Sequence, residues 1–413
     1  MREIRPLTNH ELEDYITIQL NAYPGVRARR EQMRERAAQM QADPIIQLVG
    51  LFEDGHMCGV MRQYDFTMQL HGVKLLVGGV GGVAVALARK KEKVAYDMVQ
   101  FFLHHYHDKE AALTALYPFR PDFYKQMGFG YGRKLNQYRF HPNQLPKRGV
   151  KGHVALLSGR DRYAFNACYQ RVMARTNGLM ENSPSYLDAL FTSDTLHVAG
   201  CWDGEELRGY VTFQFEPGRH RSLLSNQLVV RALVYEDTAV LYDLFAFLRS
   251  QADQFESIVL NTHEDDFHLL LTDPRNTGDL IFPTVYQESN IQGVGIMYRL
   301  IDVPRFFELL HDHSFGGQTC RLKVIMADNF LPENAGEWVL AVADGRVQLL
   351  PPDAPYDATL SLDVAEFSSL VTGAIELKTL VGYGLAELSD MAYLETIHRL
   401  FYTDNKPICL TGF

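Results

Sequence analysis

The sequence predicts an α/β (α+β) chain of three successive units, and three observations carry that reading. The chain has 413 residues, more than one hydrophobic core ordinarily holds, so two or three domains are expected. Residues 1–140 read β, αα, βββ, α, β, α, β, and residues 150–290 repeat the style. From about Val294 the pattern changes to a different α+β order. The boundaries are therefore expected at 1–142, 143–290 and 291–413.

In the first unit, Arg2–Pro6 is a short strand. Thr8-Asn9-His10-Glu11 has capping-box spacing, in which hydroxyl and carboxylate satisfy free helix N–H groups. Leu12, Ile16, Ile18 and Leu20 follow at mostly helical spacing until Pro24-Gly25 ends the run. Residues 27–40 are rich in helix formers. Strands are expected at Ile45–Glu53, Met57–Gln69 and Val73–Leu87, joined through the turn signals Asp54-Gly55 and His71-Gly72. A long helix from Arg89 to His107, a strand Ala112–Tyr117, a short helix Pro121–Met127 and a strand Gly128–Phe140 complete it. Pro142 and Pro146–Gly149 read as a linker.

The second unit offers a helix at Asp161–Thr176, strands at Leu196–Trp202 and Leu207–Phe215 about Asp203-Gly204, a strand Leu228–Val234, a helix Thr238–Gln254 and a strand Ser257–Asn261. After its long strand it is acidic (Glu236-Asp237), so a second nucleotide site is not expected there. The third unit has strands Met297–Ile301 and Arg321–Met326, helices Val303–His311, Asp363–Thr372 and Met391–Leu400, and a hairpin at Asp344-Gly345. It ends on the apolar run Cys409–Phe413, unlike a frayed charged tail.

Composition narrows the function. A net charge of −10 argues against nucleic acid as the main partner, which would need excess Lys and Arg. The five cysteines are scattered without a CxxC pair, so reduced, buried thiols in a cytoplasmic protein are expected, with no zinc or redox motif. No metal site is expected at His104, His105 and His107, which lack an evident further ligand. The N-terminus has no signal-peptide core, and the longest apolar stretch is too short to span a bilayer. No membrane partner is expected.

The informative segment is Val83–Ala95. A strand gives way to a helix with four basic residues in five positions, Arg89, Lys90, Lys91 and Lys93. Free N–H groups and the dipole at a helix start favour an anion. Basic residues there imply a compensating anion such as a pyrophosphate, although the run alone reads equally as a solvated basic face. Gly78, Gly79, Gly81 and Gly82 just upstream tilt the choice, because strand glycines mark bulges or close approach by a ligand.

The element order and the Val83-Ala84-Val85 strand running into the basic loop resemble the GNAT acetyltransferase superfamily. Over its full length the chain resembles the Eis acetyltransferases, with two GNAT-like mixed-sheet domains followed by a sterol-carrier-protein-like α+β domain. The stretches that carry this are residues 83–96, Phe123–Gly132, Met297–Val303 and Phe330–Gly336, with an aromatic last residue, Phe413. The resemblance implies acetyl-CoA as co-substrate, no metal, an amine acceptor (aminoglycoside, polyamine or lysine side chain), direct attack in a ternary complex, and a homo-oligomer, often a hexamer. It places Val83, Ala84 and Val85 on the pantetheine, Lys90, Lys91, Glu92, Lys93, Val94, Ala95 and Tyr96 at the pyrophosphate, and Phe119 and Arg120 beside the acetyl arm. Tyr124 would be the general acid and the carboxylate of Phe413 the general base.

Read without the resemblance, Tyr124 is a core aromatic on a short helix and Phe413 an apolar plug. The family has glycine where Lys93 stands and often proline where Leu87 stands, so the Lys93 side chain is expected either to meet a phosphate or to block the loop. The alternative function is a catalytically silent small-molecule binding protein.

Overall fold

The computed structural model describes residues 2–25, 30–218, 225–276 and 285–413. They form two compact units, one of residues 1–133, 176–185 and 295–413, the other of 134–175 and 186–294. Among the described residues no helix is long and apolar enough to cross a membrane.

The first unit opens with β1 (Arg2–Pro6), and the expected capping box forms at Thr8 and Glu11. The helices α1 (Leu12–Ala22) and α2 (Arg30–Ala42) follow; residues 27–29 of the expected second helix lie outside the described residues. Strands β2 (Ile46–Glu53), β3 (His56–Leu70) and β4 (Val73–Val85) run antiparallel in order. Their hairpins turn at Asp54-Gly55 and His71-Gly72, both pairs at positive φ, as a tight turn matched to strand twist requires.

The next helix, α3, spans Val94–Asp108 and starts five residues later than the sequence suggests, after a single 3-10 turn at Leu87–Arg89. Lys91 and Lys93 adopt left-handed φ of 70° and 61°, which cannot continue a right-handed helix. Val94, Met98, Val99, Phe102, Leu103 and Tyr106 are the buried stripe of α3. Each such side chain contributes roughly 1.5–3 kcal/mol on burial, so this face rather than intrinsic propensity holds the helix. Gly78 makes room for it: a Cβ there would stand 2.3 Å from the Tyr106 ring.

Strand β5 (Leu113–Leu116) pairs parallel to β4, and α4 (Pro121–Lys125) and β6 (Gly130–Tyr131) follow. The expected strand Gly128–Phe140 is broken in two. Gly128 has φ 79°, and the N–H of Gly132 donates to Ile296 O. The second piece, β7 (Leu135–Phe140), pairs with Ser257–Thr262 and Ile291–Gly293 in the other unit's sheet. Conversely Met297–Leu300, assigned from sequence to the third unit, lies between β5 and β6 in the first sheet. All four of its residues are buried. Arg299 among them is ion-paired to Asp328 and donates to Met127 O. Asp328 also accepts from the N–H groups of Phe330 and Leu331 and from Asn334. These partners offset the cost of burying the guanidinium.

In the same unit, residues 303–413 carry a five-stranded sheet of Arg346–Leu350, Gly336–Ala343, Cys320–Ala327, Ala358–Asp363 and Ala386–Leu388, in that order. One core cluster joins Tyr64, Phe66 and Met68 of β3 to Phe306, Val324 and Phe367. All five cysteines are buried, and none forms a disulfide among the described residues. Trp202 and Trp338 are half-buried.

The other unit's sheet runs Ile291–Gly293, β7, Ser257–Thr262, Asn226–Tyr235, Glu206–Pro217, Leu196–Asp203, Val154–Leu156. Asn226–Tyr235 and Ser257–Thr262 are parallel, as β4 and β5 are, so the two units share a strand order around their long strands.

Candidate active site

Strand β4 is paired with β3 along its length, with a bulge between Val60 and Arg62. On its other side β5 pairs only with Val77–Val80. The edge from Gly81 to Val85 therefore faces no strand among the described residues. An unpaired edge offers N–H and C=O groups to a peptide-like ligand. Gln19 and Tyr23 of the α1 region donate to the carbonyls of Gly82 and Val83 at 2.5 and 2.8 Å, which fixes where that edge lies.

At the end of β4 the chain turns through the basic loop. Arg89 forms ion pairs with Glu53 and Glu92, and Arg2 donates to Glu92 O at 2.9 Å while pairing with Asp97. These contacts pin the loop from outside. Lys90, Lys91 and Lys93 are exposed and enter no ion pair among the described residues. Lys93 is the N-cap of α3 in a left-handed conformation, with no side-chain cap. The first helical bond runs from Asp97 N to Lys93 O, which leaves the N–H groups of Val94, Ala95 and Tyr96 without helical acceptors. Left-handed residues in such a turn aim N–H groups into an anion-binding concavity. Lys93 thus holds the backbone shape that glycine would adopt, and the shape suits a diphosphate. Val94 is buried, Ala95 half-buried, and Tyr96 packs against Phe330 with ring centroids 4.5 Å apart.

The equivalent junction of the other unit is closed by its own acids. Asp237 caps Thr238–Arg249 by accepting from Val240 N at 3.0 Å. Glu236 is held by Arg171 and Arg208. The anion position there is occupied by the chain itself.

A cleft of about 330 Å³ opens beside the free edge of β4, lined by Val80–Val83, Tyr117, Phe119, Tyr124 and Phe413, by Tyr15, Gln19, Tyr23, Met33, Arg36 and Met40, and by Arg62 of the neighbouring β3. Tyr124 comes from α4, whose start is set by Pro121 at a position where the missing N–H costs nothing. The residue is 3% exposed. Burial pushes its phenol well above the usual tyrosine range, with Tyr23 adding to the effect. It therefore keeps its proton.

Phe413 enters the cleft from the end of the chain. Its ring sits among Phe66, Tyr117 and Tyr64, at centroid distances of 4.8, 5.2 and 5.5 Å. Its carboxyl carbon lies against Gly81, where a Cβ would come within 2.9 Å. Of the residues selected from sequence, Val83, Phe119, Tyr124 and Phe413 share this cleft. Arg120 does not line it: exposed, it pairs with Asp122 at the start of α4. Among the histidines singled out earlier, His104 pairs with Glu333 and His107 with Asp302, while His105 stacks on Phe101.

Sequence reasoning missed Arg62, Tyr15, Tyr23 and Tyr117. The signal for Arg62 was a basic residue directly after the apolar run Cys58–Met61 of β3; for the tyrosines there was none.

The acetyltransferase (GNAT) domain family matches residues 3–132, a second acetyltransferase (GNAT) domain family matches 173–296, and the sterol carrier protein domain family matches 303–410. The N-acetyltransferase Eis of Mycobacterium tuberculosis is 23% identical over 361 residues, covering 84% of this chain and 83% of that protein. Solved structures with the same fold include a GCN5-related N-acetyltransferase from Anabaena variabilis (TM-score 0.81, 16% identity) and Eis1 from Mycobacterium abscessus (TM-score 0.77, 20% identity), each covering 100% of both chains.

Two GNAT domains followed by a sterol carrier protein domain define an acyltransferase that moves an acetyl group to an amine. Within that class the chain is Eis-like, similar over most of its length to the N-acetyltransferase Eis.

Proposed function

We propose that the cleft beside β4 is where this enzyme acetylates a primary amine directly, with donor and acceptor bound together. The carrying observation is that one cleft gathers Val83 of the free strand edge, Phe119, Tyr124 and the carboxyl group of Phe413. Acetyl-CoA supplies an acetyl group activated as a thioester. The edge Val83–Val85 suits its amide-bearing arm, and the N–H groups of Val94, Ala95 and Tyr96, with Lys90, Lys91 and Lys93, suit its diphosphate. Glu92 serves by steadying Arg89.

In this reading the Phe413 carboxylate takes the proton that the attacking nitrogen sheds, and the new C–N bond forms as the C–S bond breaks. The Tyr124 phenol gives its proton to the departing sulfur. A proton donor does best when it arrives protonated, which the burial of Tyr124 favours. The basic loop belongs to the first unit alone, since Asp237 and Glu236 fill the matching place in the other. A homo-oligomer, such as a hexamer, belongs to the same proposal and is read by light scattering.

The test is thiol release from acetyl-CoA over a panel of amines, with donor binding followed by calorimetry. Amine-dependent release is expected. Donor binding without release for any amine would favour the silent binding protein instead.

A further inference from the structure

Arg62 stands on β3 between buried Met61 and Gln63. Its guanidinium lies against Gly82, where a Cβ would stand 2.8 Å from Nε and 3.0 Å from Nη2. Among the described residues Nε is fully buried without a hydrogen-bond acceptor, Nη1 meets the thioether of Met40 at 3.9 Å, and the guanidinium carbon stands 6.0 Å from the centroid of the Tyr64 ring. Among the described residues no ion pair engages Arg62, nor Arg36 of α2, which lines the same cleft. A part-buried guanidinium without a carboxylate is expensive. Its field reaches the surrounding tyrosines: burial pushes Tyr15 up to about 12 and raises Tyr23 and Tyr64, while Arg62 pulls all three down.

Among the described residues no Asp or Glu side chain lines the cleft. The carboxylate of Phe413 lies at Gly81, and the guanidinium, without an ion pair among the described residues, lies at the next residue, Gly82. The two charged groups thus lie against neighbouring residues of β4, both residues line the cleft, and no ion pair joins them among the described residues. A polycation would meet two guanidinium groups there. A molecule carrying an amine and an anion would meet a partner at each end.

We infer that the acceptor carries an anionic group, a carboxylate or phosphate, which docks on Arg62 while its amine faces Phe413. This rests on the cleft being the acceptor site of acetyl transfer. Arg62 is then a specificity-determining residue, and Arg36 at the mouth draws the anion in. A planar guanidinium fork suits either anion.

The test compares matched acceptors: phosphoethanolamine against ethanolamine, β-alanine against its amide, and spermidine as the polycation. The two pairs separate a phosphate preference from a carboxylate preference. At least one anionic acceptor should exceed its uncharged partner and spermidine in kcat/KM by about 10–100-fold, the worth of a charge-assisted pair. Most of that should lie in KM. Arg62→Gln should abolish the preference, Arg62→Lys should keep most of it, and acetyl-CoA binding by calorimetry should show that each variant is folded.

Ethanolamine or spermidine reacting as well as the anionic amines overturns the inference and leaves acetyl transfer standing. No thiol release from any of the five, with acetyl-CoA bound, removes the reading beneath it. Titration of phosphoethanolamine and β-alanine into the CoA-loaded protein then decides: binding lost in Arg62→Gln upholds the anion site, and no binding at millimolar concentration overturns it.

Discussion

The carboxyl group of Phe413 rests on Gly81, and only the missing side chain of that glycine lets it do so. A Cβ at Gly81 would come within 2.9 Å of the carboxyl carbon and 3.3 Å of its oxygen. The φ of Gly81 is not in the left-handed region, so alanine is acceptable to the backbone and only the contact changes. Gly81→Ala should therefore displace the carboxylate and leave the sheet intact. Small misplacements of reacting groups cost on the order of 100-fold, so a fall of about that size in kcat is expected with the circular dichroism unaltered. One residue added after Phe413 should act in the same way. Turnover at the normal rate in both variants would release Phe413 from the role of base.

Tyr124→Phe separates the phenol from the ring. The ring packs against Phe123, Phe119 and Phe129 at centroid distances of 5.2, 6.0 and 6.0 Å, and phenylalanine keeps these contacts. Loss of a positioned general acid lowers rate by roughly 10²–10⁴-fold. That loss should fall on kcat, with the KM for acetyl-CoA little changed. Because burial raises the phenol above its ordinary value of 10.0, the wild type should not lose activity through this group until the pH exceeds that value. An unaltered kcat in a folded Tyr124→Phe protein would return the residue to the core.

Lys93 holds φ 61° at the N-cap of α3, and an L-residue there costs about 1–2 kcal/mol that glycine does not incur. Lys93→Gly should therefore raise the melting temperature, by a few degrees for about 1 kcal/mol, and leave acetyl-CoA bound through the same backbone N–H groups. Lys91→Glu should instead raise the KM for acetyl-CoA, since it reverses a charge at the loop. Weaker donor binding in Lys93→Gly would show that the ammonium, not the loop shape, grips the diphosphate.

What the sequence made legible were features carried by local chemistry. Asp54-Gly55 and His71-Gly72 predict tight hairpins because few residues accept their φ, and Thr8 with Glu11 predicts its own cap. The basic run at Arg89–Lys93 marks the loop, but not that Arg89 is spent on Glu53 and Glu92. The exchange of strands between units was hidden. Leu135–Phe140 and Met297–Leu300 are ordinary apolar stretches, and nothing local says which sheet they join. Partnership there is a long-range matter, visible only in Arg299 reaching Met127 and Asp328 across the fold. The cleft was half legible for the same reason: Tyr124 and Phe413 came through resemblance, whereas Arg62 earns its place from Gly82, twenty residues away in sequence.

His71 and His313 stack with ring centroids 4.6 Å apart, and Nε2 of His71 lies 2.8 Å from Val371 O. Burial pushes His71 down from its ordinary 6.5, and burial with the neighbouring His71 pushes His313 down to about 4. A depressed histidine means that the unfolded chain takes up protons before the folded one does, so stability falls as pH falls. The contribution is whole above pH 6.5 and is lost as the pH drops through about 4. Carboxylates titrate in the lower part of that window too, so the wild type alone does not isolate the pair. His313→Phe keeps a ring against His71 and Phe315 but removes one titrating group. Denaturant melts across the window should show a shallower loss of stability in His313→Phe than in the wild type. Equal slopes would mean that His313 is protonated as readily in the folded protein as in the unfolded chain.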